Sequence, residues 1–228
     1  MRAKTAAVSF LCLVSGAAFA ASQDRDVPAF DSIHVASGIR ASVTIGPQKA
    51  LHVEAADDVL PLVETLVEDR TLHIGFKPHS ILRSTGEVTV TAQTPELHAV
   101  AGSGGAMVKA SLTRASESAL AASGGSEIHV RGVDARKLVA KASGGSVLQV
   151  AGRAEEVELR LSGGSHFDGP QLEAHDVDVE GSGGAVAELR ATRNVSGGLS
   201  GGSEMHVRGG ARASVRTSGG SEVSVHDR

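Results

Sequence analysis

The chain contains no tryptophan and no tyrosine, and its only cysteine is Cys12. Because Cys12 lies in a segment with the features of a cleaved leader, we expect the mature chain to contain no thiol. A chain without thiols cannot form disulfides, zinc–thiolate sites or cysteine nucleophiles. We therefore expect no metal site and no cofactor, and stability that comes from packing and backbone hydrogen bonds.

Long apolar runs are also missing. Arg2 and Lys4 precede an apolar stretch, Ala6 to Val14, and Ala18-Phe19-Ala20 has the small-x-small pattern of a signal-peptidase site. A membrane-spanning helix needs about 20 apolar residues, more than this stretch supplies. The sequence thus predicts a signal peptide over residues 1–20, a short linker over 21–27, and an exported chain without a membrane span. We expect it in the periplasm or outside the cell, as part of the envelope.

Positive charge is scarce once the leader is removed. Residues 1–20 hold two of the 22 basic residues and none of the 26 acidic ones, so 20 basic and 26 acidic residues leave a formal net charge of −6. Such an excess of negative charge disfavours binding to nucleic acid, whose phosphates attract basic surfaces. Nucleic acid is therefore not an expected partner.

Glycine is abundant, with 28 residues, and much of it belongs to a repeat. Seven copies of Ser-Gly-Gly follow one another at intervals of 18 to 20 residues, beginning at Ser103, Ser123, Ser143, Ser162, Ser182, Ser200 and Ser218. A fixed period of this length is typical of solenoid architectures.

Side chains alternate within each repeat. Counting from the serine as zero, position +5 is always apolar: Val108, Ile128, Leu148, Phe167, Ala187, Met205 and Val223. Position +6 is polar in every copy, and a period of two indicates a β-strand with one buried face. The paired glycines permit positive φ angles in a close turn, and a second bend falls near Arg131-Gly132. Each repeat thus predicts two short strands and two turns.

Two short strands cannot enclose a core alone, but coils stacked about 4.8 Å apart pair each strand with its equivalents above and below. The sequence therefore predicts an all-β chain, a right-handed parallel β-helix with about seven Ser-Gly-Gly coils over residues 101–228. A β-sandwich or a propeller would have other sequence periods. Residues 28–100 alternate without the repeat and predict irregular N-terminal capping coils, completing one domain over 28–228. Within them, a short helical stretch is expected from Asp57 or Asp58 to Val67.

The segments Phe30–Ile33, Ser37–Ile39, Val43–Gly46, Asp57–Val67 and Leu72–Ile74, followed by serial Ser-Gly-Gly coils, form a recognisable order. In this order the chain resembles the putative auto-transporter adhesin, head GIN domain family, a bacterial domain family of unknown function, over roughly residues 28–226. The resemblance implies a secreted or envelope-associated β-helix with a role in adhesion or in surface-polysaccharide interaction. It implies no catalytic residues.

Two copies of a Ser-Glu-x-His-Val pattern supply candidate ligand-binding residues, Glu127 with His129 and Glu204 with His206. In each pair both side chains are predicted to project outward from the same face, where they could bind a cation or a sugar hydroxyl. The same pattern also fits a solvated strand face whose polar residues serve solubility.

Some parallel β-helices are polysaccharide lyases or hydrolases, which use clustered carboxylates or basic residues. Asp168, Asp176 and Asp178 are close in sequence, but Asp176 and Asp178 flank Val177 and so are expected to point outward. The absence of Trp and Tyr removes the usual platforms for sugar rings. The favoured hypothesis is a non-catalytic envelope or surface protein that binds a surface polysaccharide or another envelope protein. The alternatives are a glycan-active enzyme and a purely structural envelope component.

The ends of a stack of coils expose unpaired backbone groups. The last coil, Ser218–Arg228, offers only charge and a short strand as protection. We therefore expect weak homo-association or docking of another envelope protein through the C-terminal edge.

Overall fold

The computed structural model describes residues 20–80 and 86–226. It is all-β, a parallel β-solenoid of about six turns, with no α-helix among the described residues. The predicted parallel β-helix is confirmed, while the predicted count of about seven coils is slightly too high. The reason lies at the last Ser-Gly-Gly, which is followed by only one strand in the described part of the chain. Apart from Ala20, the predicted signal peptide lies outside the described residues.

The described strands are numbered in chain order. They are β1 Ala20–Arg25, β2 Ser32–Val35, β3 Arg40–Ile45, β4 Leu51–Ala56, β5 Val63–Glu68, β6 Thr71–Phe76, β7 Thr89–Thr94, β8 Ala99–Gly102, β9 Met107–Ser111, β10 Ala115–Ala122, β11 Glu127–Ser143, β12 Val147–Ser162, β13 His166–Ser182, β14 Val186–Leu199, β15 Glu204–Arg208, β16 Arg212–Thr217 and β17 Glu222–His226.

Each Ser-Gly-Gly forms a corner, and the corners divide the strands into two faces. On the pre-corner face, parallel pairing runs from β6 through β2, β8 and β10 to the C-terminal halves of β11–β14 and then β16. On the post-corner face it runs from β7 through β3 and β9 to the N-terminal halves of β11–β14, β15 and β17. The two strands predicted per repeat are continuous in β11–β14. At the expected second bend, the register of β11 against β12 shifts between Val130 and Val133.

The N-terminal coils do not stack in chain order. The coil of β2 and β3 lies between the coil of β6 and β7 and the coil of β8 and β9. Antiparallel strands then end the stack, because β5 pairs with β6, β4 with β7 and β1 with β4. This arrangement is the predicted irregular cap. The segment expected to be a linker therefore contains the paired strand β1.

The side chain of Arg25 links the two outer parts of this cap by hydrogen bonds. Its Nη1 donates to the carbonyl oxygen of Val63 at 2.7 Å, and its Nη2 donates to that of Leu60 at 3.1 Å. Because Arg25 ends β1 and Val63 begins β5, one guanidinium joins the outermost strands of both faces. Partial burial lowers the pKa of Arg25, which is still a cation at any physiological pH.

The helix predicted from Asp57 or Asp58 to Val67 is wrong. The chain there forms one 3₁₀ turn, Leu60–Leu62, and then strand β5. The hairpin of β5 and β6 turns at Asp69 and Arg70, whose φ angles are +47° and +60°, as the tight turn between twisted strands requires. The pairing of β5 with β6 therefore outweighs the spacing of the apolar residues, although that spacing also fits a helix.

The core consists of columns of stacked side chains. Position +5 is fully buried in six copies, from Val108 to Met205, and Val223 at the end is half-buried. Inside the corners, the hydroxyl of Ser126 donates to the Gly102 carbonyl at 2.9 Å, and the hydroxyl of Ser146 donates to the Ala122 carbonyl at 3.0 Å. The predicted inward positions are thus confirmed, and these buried serines bond the carbonyls of the preceding coil.

In the described part of the chain, β16 and β17 are the last strands of the two faces. The apolar side chains of Met205 and Val207 beneath β17 are fully buried, whereas Val225 on β17 is exposed. Homo-association through this edge stays a prediction.

A charge in the core column should prevent folding. We expect Leu148→Asp to lower the free energy of unfolding by about 4 kcal/mol or more, because Leu148 is fully buried and a carboxylate there has no partner. His129→Ala, at an outward position of the neighbouring strand β11, should change the free energy of unfolding by less than about 1 kcal/mol. Urea unfolding measures both. A larger effect at His129 would contradict the assignment of the two faces.

The corner glycines should differ in their tolerance of a side chain. Gly201 has a φ of +70°, and an added Cβ would lie 2.9 Å from the backbone nitrogen of Gly183 in the preceding coil. We expect Gly201→Ala to cost about 1–3 kcal/mol in unfolding free energy. The control is Gly164→Ala, where φ is not positive and nothing lies within 4 Å of the new Cβ. Equal losses of unfolding free energy in the two variants would show that contact between stacked coils does not restrict the residue at position 201.

Candidate binding groove

The four predicted ligand-binding residues all lie on the outside of the post-corner face. His129 Nε2 is 2.5 Å from Glu127 Oε1 on β11. On β15, His206 Nε2 is 4.0 Å from Glu204 Oε2, and His206 Nδ1 is 2.7 Å from the hydroxyl of Ser224. Their outward direction agrees with the prediction.

The two Glu-His pairs do not form one site. Strands β12, β13 and β14 lie between β11 and β15, so the pairs are separated by four strand spacings, roughly 19 Å. Across the described residues, no three His, Cys, Asp or Glu side chains are grouped as around a metal ion. Ligand binding by Glu127, His129, Glu204 or His206 stays a prediction.

The structure shows a different candidate site that the sequence interpretation missed. A groove of about 780 Å³ runs along the outside of the solenoid, where the pre-corner face meets the corners. It extends from His34 and Ser103 at one end to Arg216 and Ser218 at the other. It therefore crosses every Ser-Gly-Gly coil.

The repeat itself builds the groove. The first wall is the serine of every corner, so that the serine hydroxyls form a ladder with one rung per coil. The floor is made of the small or apolar residues just before those serines, Gly102, Ala122, Ala142, Leu161, Gly181 and Leu199, with Thr217 at the end. The second wall is the outward residue two positions before each serine, namely Ala101, Ala121, Lys141, Arg160, Glu180, Gly198 and Arg216. Because strand positions alternate, both walls point outward while the floor residues turn inward.

Most of the corner hydroxyls are available. Those of Ser123, Ser143, Ser162 and Ser182 have no hydrogen-bond partner within the described residues. At the N-terminal end of the groove, Ser103 Oγ is 3.3 Å from His34 Nε2. Since coils are stacked about 4.8 Å apart, free donors and acceptors recur at that spacing along the wall.

The second wall carries the charge of the groove. Arg160 donates from Nε to Glu158 at 2.8 Å and from Nη1 to Glu180 at 2.6 Å. Hydrogen bonds from Lys137 and then Arg160 hold the pKa of Glu158 below its ordinary value. Lys141 and Arg216 are exposed and form no ion pair within residues 20–80 and 86–226. The groove thus holds two unpaired cations.

His34 closes the N-terminal end of the groove. Its ring stands edge-on to that of His73, with centroids 5.7 Å apart. Burial, and then the charge of His73, lower the pKa of His34. The neutral ring is therefore the form that this end of the groove favours.

The carboxylates considered for glycan hydrolysis do not converge. Asp168 lies outside the post-corner face, whereas Asp176 and Asp178 lie outside the pre-corner face. A hydrogen bond from Asn194, and then the nearby Arg193, lower the pKa of Asp176. A catalytic acid needs a raised pKa, whereas the pKa of Asp176 is lowered.

Comparison with known proteins agrees with this fold. The family model described as "putative auto-transporter adhesin, head GIN domain" matches residues 29–211. This chain belongs to the head GIN domain family. A search of curated proteins gave no match for this head GIN domain. No helix in the described part of the domain is long and apolar enough to cross a membrane.

Three solved structures with the same fold come from Bacteroides and Parabacteroides species. A "putative adhesin" from Bacteroides fragilis has a TM-score of 0.79 at 17% identity, covering 92% of this chain and 97% of its own. A "putative adhesin" from Parabacteroides merdae has a TM-score of 0.67 at 17% identity, with 91% and 96% covered. A "putative lipid binding protein" from Parabacteroides distasonis has a TM-score of 0.72 at 14% identity, with 91% and 97% covered. These likenesses show the fold.

Acid should destabilise the domain through His34. A histidine whose pKa is lowered by folding contributes its full stability above its ordinary pKa of about 6.5 and loses it as the pH falls below that value. We expect the unfolding free energy of the wild type to fall more between about pH 7.5 and about pH 5 than that of His34→Asn, which cannot titrate. Urea unfolding at both pH values measures this. An equal fall in the two proteins would contradict the pKa shift.

Proposed function

We propose that this head GIN domain is an exported, non-catalytic binding module of the cell envelope that holds a surface polysaccharide along the groove. The observation that carries the proposal is the serine ladder, seven corner serines in register beside a floor of small and apolar residues. A polysaccharide is a linear polymer with regularly spaced hydroxyls and apolar C–H faces, and it complements a wall and a floor of this kind.

The length of the groove supports a polymer over a small ligand. Each exposed serine hydroxyl offers only a weak contact with a sugar, because water competes for the same hydrogen bonds. Several contacts on one chain add up, since the first contact raises the effective concentration for the others. Without tryptophan or tyrosine to stack on sugar rings, binding in this groove depends on the number of coils engaged.

The N-terminal sequence and the family support a place outside the cytoplasm. Arg2, Lys4 and the Ala18-Phe19-Ala20 pattern are the features of an export signal. The family and two of the related structures carry the name adhesin, which describes surface contact. The groove is the surface where we propose that such contact takes place.

Three alternatives receive less support. A glycan-active enzyme would need a carboxylic acid with a raised pKa, whereas the pKa values of Glu158 and Asp176, which lie together on the pre-corner face, are both lowered. A purely structural component would not need a ladder of unpartnered hydroxyls. Binding of a lipid, the activity in the name of the Parabacteroides distasonis protein, would favour an enclosed apolar cavity, whereas Ser162 and Ser182 leave this groove open to water.

A glycan array, run beside hydrolysis and lyase assays on the same polysaccharides, tests the proposal. We expect binding without turnover, and about tenfold weaker binding by the double variant Ser162→Val/Ser182→Val, which removes two hydroxyls and leaves their exposed neighbours in place. The matched control is Ser111→Val/Ser116→Val, at exposed serines outside the groove. Turnover of any glycan, or equal affinity of both double variants, would refute the proposal.

A further inference from the structure

The charges of the groove point to the class of polysaccharide. We infer that the groove selects an acidic polysaccharide, whose carboxylates pair with Lys141 and Arg216 while its hydroxyls meet the serine ladder. This inference rests on the proposed function and names its ligand more narrowly.

The second wall changes character along its length. At the N-terminal end it consists of Ala101 and Ala121, which are small and uncharged. From the third coil onward it carries three cations, Lys141, Arg160 and Arg216, against the single acid Glu180. Glu180 is already engaged by Arg160. This wall therefore carries a positive excess on a chain whose acidic residues outnumber its basic ones.

The two unpaired cations are placed for a polymer. Lys141 lies on β11 and Arg216 on β16, and β12, β13 and β14 pair in sequence between them. Four strand spacings separate them, roughly 19 Å along the groove. A single small anion reaches only one of these cations, whereas an extended polyanion lying along the groove reaches both.

Charge also separates acidic from neutral glycans. A neutral chain in the groove would cover Lys141 and Arg216 with groups that only partly replace their water, which costs free energy. A carboxylate instead forms a charge-assisted hydrogen bond with each cation. The acidic remainder of the surface repels a polyanion, so binding is confined to the groove.

The test compares two ligands with the same sugar chain, polygalacturonate and its uncharged methyl ester, by titration calorimetry with the wild-type protein. We expect about tenfold tighter binding of the acid, the effect of two exposed ion pairs. Lys141→Gln/Arg216→Gln should abolish this preference by weakening binding of the acid. The control Lys109→Gln/Arg131→Gln also removes one lysine and one arginine charge, but from exposed positions outside the groove. It should keep the preference for the acid. Galacturonic acid monomer should not compete, because it cannot reach both cations.

The possible failures are distinguishable. Equal affinity of the wild type for acid and ester would overturn the charge selection and leave the proposed function standing. Equal losses in the two double variants would mean that net charge, not the groove, attracts the acid, and would also overturn it. Absence of binding to both polymers, together with a blank glycan array, would overturn the proposed function and this inference with it.

Discussion

The close stacking of glycine on glycine at the corners is the constraint on which the rest of the structure depends. At the first glycine of a corner the backbone has a positive φ, and in most coils a Cβ there would press on the corner below, as at Gly183, where it would lie 3.2 Å from the nitrogen of Gly163. Only glycine meets both conditions without strain. Because each corner rests directly on the one before it, the register of all coils is set. Every position of the repeat then becomes a straight column.

Because equivalent residues stack in columns, the chemical character of one repeat position extends along a whole surface of the solenoid. Each inward column contributes one side chain per coil to the narrow core, and the outward columns carry ladders of opposite charge, such as Arg114, Asp134 and Arg153, which lie on successive coils. Such exposed pairs add little stability individually. The serine column behaves in the same way, because single hydroxyls on successive coils form a continuous polar wall when they are in register.

The sequence allowed the repeating part of this fold to be predicted, and the reasons for the failures are physical. Alternation identified inward residues such as Ile128 and Phe167, both fully buried, because a period of two leaves no other face for them. The cap was predicted to exist, but its strand β5 was mistaken for a helix, since Leu62, Val63 and Leu66 also fit helical spacing and their pairing with β6 is not local. For the same reason nothing in the sequence shows that the coil of β2 and β3 inserts between two later coils. The groove was missed because the candidate ligand-binding residues were sought on the strand after each corner. The signal was present, since the outward positions zero and −2 flank one small or apolar inward position in six of the seven copies.

Amide chemical-shift mapping, during a titration with a polysaccharide that binds on the glycan array, tests whether the polymer lies along the serine ladder. We expect shifts that recur once per coil, at Ser123, Ser143, Ser162 and Ser182 and at their neighbours in the groove, and that leave the post-corner face unchanged. Shifts centred on Glu127 and His129, or on Glu204 and His206, with none at the corner serines, would contradict this expectation.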